Sequence, residues 1–246
     1  MQSGSIKLFR IAGITVFLHF TWFLVGAYEV TTLAGRYSKP IWAVAEYLAL
    51  FAIVLMHEFG HALACRQTGG QADHIVLWPL GGIAFVSPPP RAGAMLWSIA
   101  AGPLVNVVLL PVFALLLLMA RQLGWPFVAP DLYHLIGYIS FINKVVLVFN
   151  LLPFFPLDGG QILRALLWFP LGRIRSLQIA CAIGLLGGLG LALYGFLGSS
   201  IWLIVMAFFL LSRAWAGWRQ AGWLAAEERD ARLAAVQPPL RERPVL

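Results

Sequence analysis

Few residues in this chain can break a covalent bond, and three of the best candidates stand within five positions of one another: His57, Glu58 and His61 in His57-Glu58-Phe59-Gly60-His61. The order is H-E-x-x-H. On a helix, residues four apart lie on one face, so the two imidazoles can hold one metal ion between them. Glu58, beside the first histidine, can then take the proton of a water activated on that metal. The competing use of the same residues is a pair of interhelical hydrogen bonds, which leaves Glu58 buried without a purpose. A catalytic zinc normally takes three protein ligands and keeps a fourth position for water, so a further donor is required. Candidates in the apolar stretches are Asp158, Glu46, Glu29, His19, His74 and His134. Asp158 stands out because the segment from Asn150 to Gly160 (N-L-L-P-F-F-P-L-D-G-G) carries two prolines and two glycines that break a helix around it. Freed backbone can aim a carboxylate inward. Asp158 also reads as the N-cap of a helix over 159–169, a role compatible with ligation.

The elements that must position these groups follow from composition. Of 246 residues, 61% are hydrophobic and 11% charged, against about 45–50% and 25% in soluble domains. That excludes a water-soluble globule and intrinsic disorder. Two cysteines, Cys65 and Cys181, both in apolar stretches, exclude a disulfide scaffold and read as packing residues. Stretches free of Asp, Glu, Lys and Arg run over 11–28, 92–120 and 176–212. Two further apolar stretches carry Glu46 with Glu58, and Lys144. With about 20 residues needed per crossing, the chain reads as an all-α polytopic membrane protein of about six transmembrane helices. They fall at about 11–33, 41–65, 93–120, 133–152, 177–197 and 200–216, in one domain over 1–216. A polar, partly disordered cytoplasmic tail occupies 217–246.

Basic residues gather on the cytoplasmic side of membrane proteins. With both termini inside, the inner segments hold most of the 17 Lys and Arg, and the outer ones hold only Arg36, Lys39 and Arg121. The net charge of +7 is thus explained by topology, with no nucleic-acid partner. No cleavable signal peptide is expected. The second and fourth spans then bring His57, His61 and Asp158 together nearer the cytoplasmic face. Between the second and third spans, 72–78 and 83–86 read as two strands around Pro79-Leu80-Gly81-Gly82. So apolar a hairpin is expected to dip into the membrane beside the site, and the β-prone start of the chain, Ile6 to Val16, can pair with it. Its edge, over Gly81, Gly82, Ile83, Ala84 and Phe85, offers an extended substrate backbone a strand to join. Glu46, 11 residues before His57, lies about 16 Å along the same helix face. It is expected either to pair with Lys144 on the opposing span or to snorkel to the outer interface.

The H-E-x-x-H motif, the Pro79-Leu80-Gly81-Gly82 turn, the run Ala101-Gly102-Pro103-Leu104-Val105-Asn106 and the segment 150–160, taken in order, resemble the site-2 protease family. These are intramembrane zinc metalloproteases, and the likeness is to the branch with archaeal and sporulation-type bacterial members. The resemblance covers about 6–167. It implies one Zn2+ held by His57, His61 and Asp158, with Glu58 as general base. It also implies cleavage of peptide bonds in or near the transmembrane segment of a single-span substrate, in the cell membrane. Asn150 matches the family position that helps hold substrate or oxyanion; an interhelical hydrogen bond is its simpler use. Asn106 reads as a structural polar contact in the third span. Neither a PDZ domain nor cystathionine-β-synthase-type regulatory domains fit the chain, which leaves control to partners or substrate preparation. A membrane metal-ion transporter and a catalytically inactive scaffold are the rival readings; oligomeric state is not legible.

Overall fold

The computed structural model describes residues 4–78 and 81–236. Strands β1 (Ser5–Ile11), β2 (Ile14–His19), β3 (Gln71–Trp78) and β4 (Gly81–Ser87) accompany helices α1 (Thr21–Leu33), α2 (Pro40–Gln67), α3 (Ala92–Gln122), α4 (Trp125–Val128), α5 (Pro130–Leu151), α6 (Asp158–Leu197) and α7 (Ile201–Val236). Among the described residues, five helices, α2, α3, α5, α6 and α7, are long and apolar enough to cross a membrane. The expected span over 11–33 is corrected. Its apolar run is divided between β2 and α1, and the 13 residues of α1 rise only about 20 Å, short of the roughly 30 Å hydrocarbon core. The expected tail is also corrected over its first part, since α7 continues unbroken to Val236; residues 237–246 lie outside the described residues. The expected spans over 177–197 and 200–216 fall within α6 and α7, and α6 breaks at Gly172, whose φ of 79° interrupts its helical geometry.

The four strands form one sheet in the order β1-β2-β3-β4. The tight turn Ala12-Gly13 joins β1 to β2, both residues at positive φ (50° and 75°), as two-residue hairpins require. The N-terminal segment pairs with the later hairpin as expected. β2 runs parallel to β3, from Thr15 opposite His74 to Leu18 opposite Leu77, and a parallel pair needs the long crossover that α1 and α2 supply. β3 and β4 are antiparallel, with Val76 opposite Ile83 and Ile75 opposite Ala84. The turn residues Pro79 and Leu80 lie outside the described residues. Ile14, Val16, Leu18, Ile75 and Leu77 pack into one core with Trp22 of α1 and Ala62 and Cys65 of α2. The Arg66 guanidinium bonds the carbonyls of Ala12 and Gly13, tying the hairpin turn to the end of α2. Cys65 and Cys181 are free and buried.

At the other end of α2, Glu46 is 1% exposed. It does not pair with Lys144, which is exposed; its partners come from the α1–α2 connection. Tyr37 donates its hydroxyl to Glu46 Oε2, and Arg36 Nη1 stands 3.5 Å from Glu46 Oε1. Arg36 also lies over the Tyr138 ring, 4.9 Å from its centroid, and Ser38 bonds Asp131 at the start of α5. Burial, then the neighbouring carboxylate of Glu46, raises the pKa of the Tyr37 phenol, which keeps it a donor.

Candidate metal centre

His57 and His61 stand one turn apart on α2, and Asp158 is the first residue of α6. The loop before Asp158 is wedged in place. A methyl group on Gly159 would come within 2.2 Å of the Leu151 carbonyl oxygen, and one on Gly160 within 2.3 Å of the Phe155 nitrogen. Only glycine lets α6 start this close to the chain that has just left α5. Across the loop, Gly184 of α6 meets the Phe155 carbonyl and Gly187 the Phe154 ring, so the second part of α6 holds the loop from behind.

His57, Glu58, His61 and Asp158 are all buried. His57 Nε2 lies 2.9 Å from Asp158 Oδ2 and 3.1 Å from His61 Nε2, and His61 Nε2 lies 3.3 Å from Asp158 Oδ2. The far side of each ring fixes its tautomer. His61 Nδ1 is 2.9 Å from the Ser98 carbonyl oxygen, which can only accept, so Nδ1 carries the proton. His57 Nδ1 is 2.6 Å from Asn106 Oδ1 and donates to it. Each neutral ring therefore turns a bare Nε2 lone pair toward the same point as the Asp158 carboxylate. Two such lone pairs and a carboxylate oxygen about 3 Å apart are a set that a bound cation would hold together. Donors about 2.0–2.1 Å from a tetrahedral zinc would stand roughly 3.3 Å apart, close to the spacing observed. Two imidazoles and a carboxylate are also the donor set of a catalytic zinc with one open position. The residues fit Zn2+.

The other candidate donors are elsewhere. His19 bonds Thr21 Oγ1 at 2.7 Å and stacks on Trp78, His74 stacks on Phe17, and His134 lines a cavity with Arg36, Arg121 and Tyr138. Among the described residues, His57, His61 and Asp158 are the group able to hold a metal ion. Glu58 follows His57 on α2 and is buried with the three candidate ligands. Asn150 donates Nδ2 to the Val146 carbonyl one turn back on α5 (3.0 Å), a bond within its own helix. Gly81, Gly82, Ile83, Ala84 and Phe85 all lie on β4, an edge of the sheet; β4 packs against α2, and Phe85 is exposed. Two residues gain a role that sequence reasoning misses. Asn106, expected as a plain structural contact, holds His57, and Asn143, not singled out at all, holds Asn106.

Helices long and apolar enough to cross a membrane thus bury a histidine–aspartate group able to hold a metal ion, and the four-stranded sheet packs against the same helix that carries the two histidines. The pattern of peptidase family M50 matches residues 45–125 and 120–193. The chain is 35% identical over 206 residues to the zinc metalloprotease MJ0392 of Methanocaldococcus jannaschii, covering 84% of this chain and 58% of that protein. It is 31% identical over 123 residues to the stage IV sporulation protein FB of Bacillus subtilis, covering 47% of this chain and 38% of that protein. The chain thus spans less than two thirds of the length of either relative. The solved site-2 protease from Methanocaldococcus jannaschii superposes with a TM-score of 0.61 at 30% identity, over 87% of this chain and 95% of that one. The chain belongs to peptidase family M50, the site-2 protease family, and is an integral membrane protein.

Proposed function

We propose that the protein is an intramembrane zinc metalloprotease that hydrolyses peptide bonds in or near the transmembrane segment of a single-span membrane protein. The observation that carries this reading is the convergence of His57 Nε2, His61 Nε2 and Asp158 Oδ2 within apolar helices. A transporter would need polar groups continuing across the bilayer. The buried carboxylate of Glu46, toward the far end of α2, is instead held by Tyr37 and Arg36.

His57, His61 and Asp158 hold the metal. A zinc ion held there would supply Lewis acidity for the scissile carbonyl and lower the pKa of a water toward neutrality. Glu58 takes the proton of the attacking water and returns it to the amide nitrogen as the C–N bond breaks. Asn150 uses one Nδ2 hydrogen within α5 and keeps the other for the developing oxyanion. A helical substrate must first unwind, because its carbonyls are hydrogen-bonded; β4, over Gly81 to Phe85, takes the extended segment by backbone pairing. Arg36 and Arg121 line one cavity with Tyr138, whereas Arg66 lies at the opposite end of α2 and Arg91 reaches Thr68 beside it. This segregation supports a cell-membrane orientation with the Arg66 end of α2 and the nearer face of the metal site on the cytoplasmic side; crossings by α2, α3, α5, α6 and α7 in turn then bring the end of α7 to that same side.

Glu58→Gln keeps the three ligands and removes the base. It should retain parental zinc content and lose cleavage of a helical single-span substrate in detergent by about 100-fold or more. Retained turnover would overturn the assignment of Glu58, and absence of zinc from the parent protein would overturn the metal centre.

A further inference from the structure

Deep in the bundle, on the side of His57 away from Asp158, two asparagines from different helices form a closed pair. Asn106 of α3 and Asn143 of α5 are both 0% exposed. Asn106 Nδ2 lies 2.8 Å from Asn143 Oδ1, and Asn143 Nδ2 lies 3.0 Å from the Asn106 backbone oxygen. The remaining side-chain atom of Asn106, Oδ1, lies 2.6 Å from His57 Nδ1.

The direction of every hydrogen bond in this chain of contacts follows from its far end. The Asn106 backbone oxygen can only accept, so the Asn143 atom facing it must be the amide nitrogen. That turns Asn143 Oδ1 toward Asn106, and an oxygen there can only accept, so Asn106 presents its amide nitrogen to Asn143. Asn106 Oδ1 is thereby left for His57, whose Nδ1 must carry the proton. A neutral imidazole with its proton on Nδ1 has its lone pair on Nε2, the atom that faces Asp158 and His61. A single backbone carbonyl thus sets, through two amides, which nitrogen of His57 is free to ligate.

We infer that Asn143 is a positioning residue for the metal centre: it fixes the Asn106 amide with Oδ1 toward His57 and so holds His57 in the tautomer that binds metal through Nε2. Without Asn143, the Asn106 amide can rotate half a turn at little steric cost and offer Nδ2 to the ring. His57 then accepts at Nδ1, carries its proton on Nε2 and cannot ligate through that atom. His61 has no such dependence, because its Nδ1 partner is the Ser98 backbone oxygen itself. This role of Asn143 rests on the reading of His57 as a ligand and adds to it.

The test is epistatic. Asn143→Leu keeps the volume and removes both polar atoms; zinc affinity of the full-length protein in detergent, measured by competition with a chromophoric chelator, should fall by about 10–100-fold. Asn106→Asp has two acceptor oxygens and no donor, so either face it turns to His57 enforces the Nδ1 proton. In the Asn143→Leu background it should bring zinc affinity back to within about threefold of the parent, as a carboxylate–histidine pair supports zinc elsewhere. A residue that merely fills space would not be rescued by a change on its neighbour. Independently of the rescue, 15N chemical shifts of labelled imidazoles in zinc-free protein, with His57 identified from a His57→Gln sample, report the tautomer. The proton should sit on Nδ1 in the parent and be shared with Nε2 in Asn143→Leu. Parental zinc affinity in Asn143→Leu, an unchanged His57 tautomer, or failure of Asn106→Asp to restore binding would each overturn the inference. If the parent itself binds no zinc, the reading of His57 as a ligand falls, while the tautomer measurement still decides what Asn143 does to the ring.

Discussion

Gly102 of α3 lies against His61, and adding one methyl group there should dismantle the metal centre from behind. A Cβ at this position would stand 2.3 Å from both Cε1 and Nε2 of His61 and 2.8 Å from Cδ2. Carbon contacts are comfortable from about 3.5 Å, so the ring must retreat by about 1.2 Å. It has little freedom to do so while keeping Nδ1 at 2.9 Å from the Ser98 carbonyl. Metal–ligand distances tolerate about 0.2 Å, and a displacement about six times larger takes His61 out of the ligand set. Gly102→Ala should therefore lower zinc affinity by about 100-fold or more, about 2.7 kcal/mol, with a comparable fall in turnover. The same overpacking between α2 and α3 should cost about 1–3 kcal/mol of stability. Gly93 lies on the same helix, and a methyl group added there would meet nothing within 4 Å; Gly93→Ala is the control, expected to leave zinc binding as it is. The assay is chelator competition on zinc-stripped protein, with a thermal melt of each variant. Parental zinc affinity in Gly102→Ala would refute the reasoning, because it would mean the ring can move by about 1 Å and still ligate.

Two further perturbations probe the ends of the molecule. Glu46→Gln keeps an oxygen for the Tyr37 hydroxyl and loses only the attraction to a half-exposed Arg36, so it should change stability by less than about 1 kcal/mol. Glu46→Leu strands the buried hydroxyl and should cost about 1–3 kcal/mol; equal losses in thermal melts of the two variants would contradict the pairing. A photo-crosslinking side chain at Phe85, in the Glu58→Gln background, should capture a helical single-span substrate. The same group at exposed Phe208 of α7 should not, and equal capture at both positions would remove β4 from substrate binding.

The legibility of the sequence differs sharply between parts of the site. His57 and His61 are readable because their spacing matches a helix turn, and Asp158 because prolines and glycines mark the broken backbone around it. The strands at 72–78 and 83–86 are readable from composition, but the parallel pairing of β2 with β3 joins Thr15 to His74, and no local pattern names so distant a partner. The first apolar run misleads because a strand buried within the protein, as β2 is, is as free of charge as a spanning helix. For Glu46, counting turns along α2 gives the depth, but not the reach of Arg36 and Tyr37 from a loop, and so the expected partner on α5 is the wrong one. Asn143 leaves a faint trace, standing seven residues before Asn150 and so on nearly the same face of α5. An isolated amide in an apolar helix has too many ordinary uses for that trace to be decisive.

The donors that meet at the metal centre are far apart in the order of synthesis, with 101 positions from His57 to Asp158. Read as a timetable, this spacing leaves the group incomplete for most of synthesis. A nascent chain that has inserted α2 carries His57 and His61 but not yet Asp158. The three side chains cannot meet until α5 has been made and the loop beyond it has been gripped by the second part of α6. On the proposed reading, the chain passes through most of its synthesis with its metal centre unassembled.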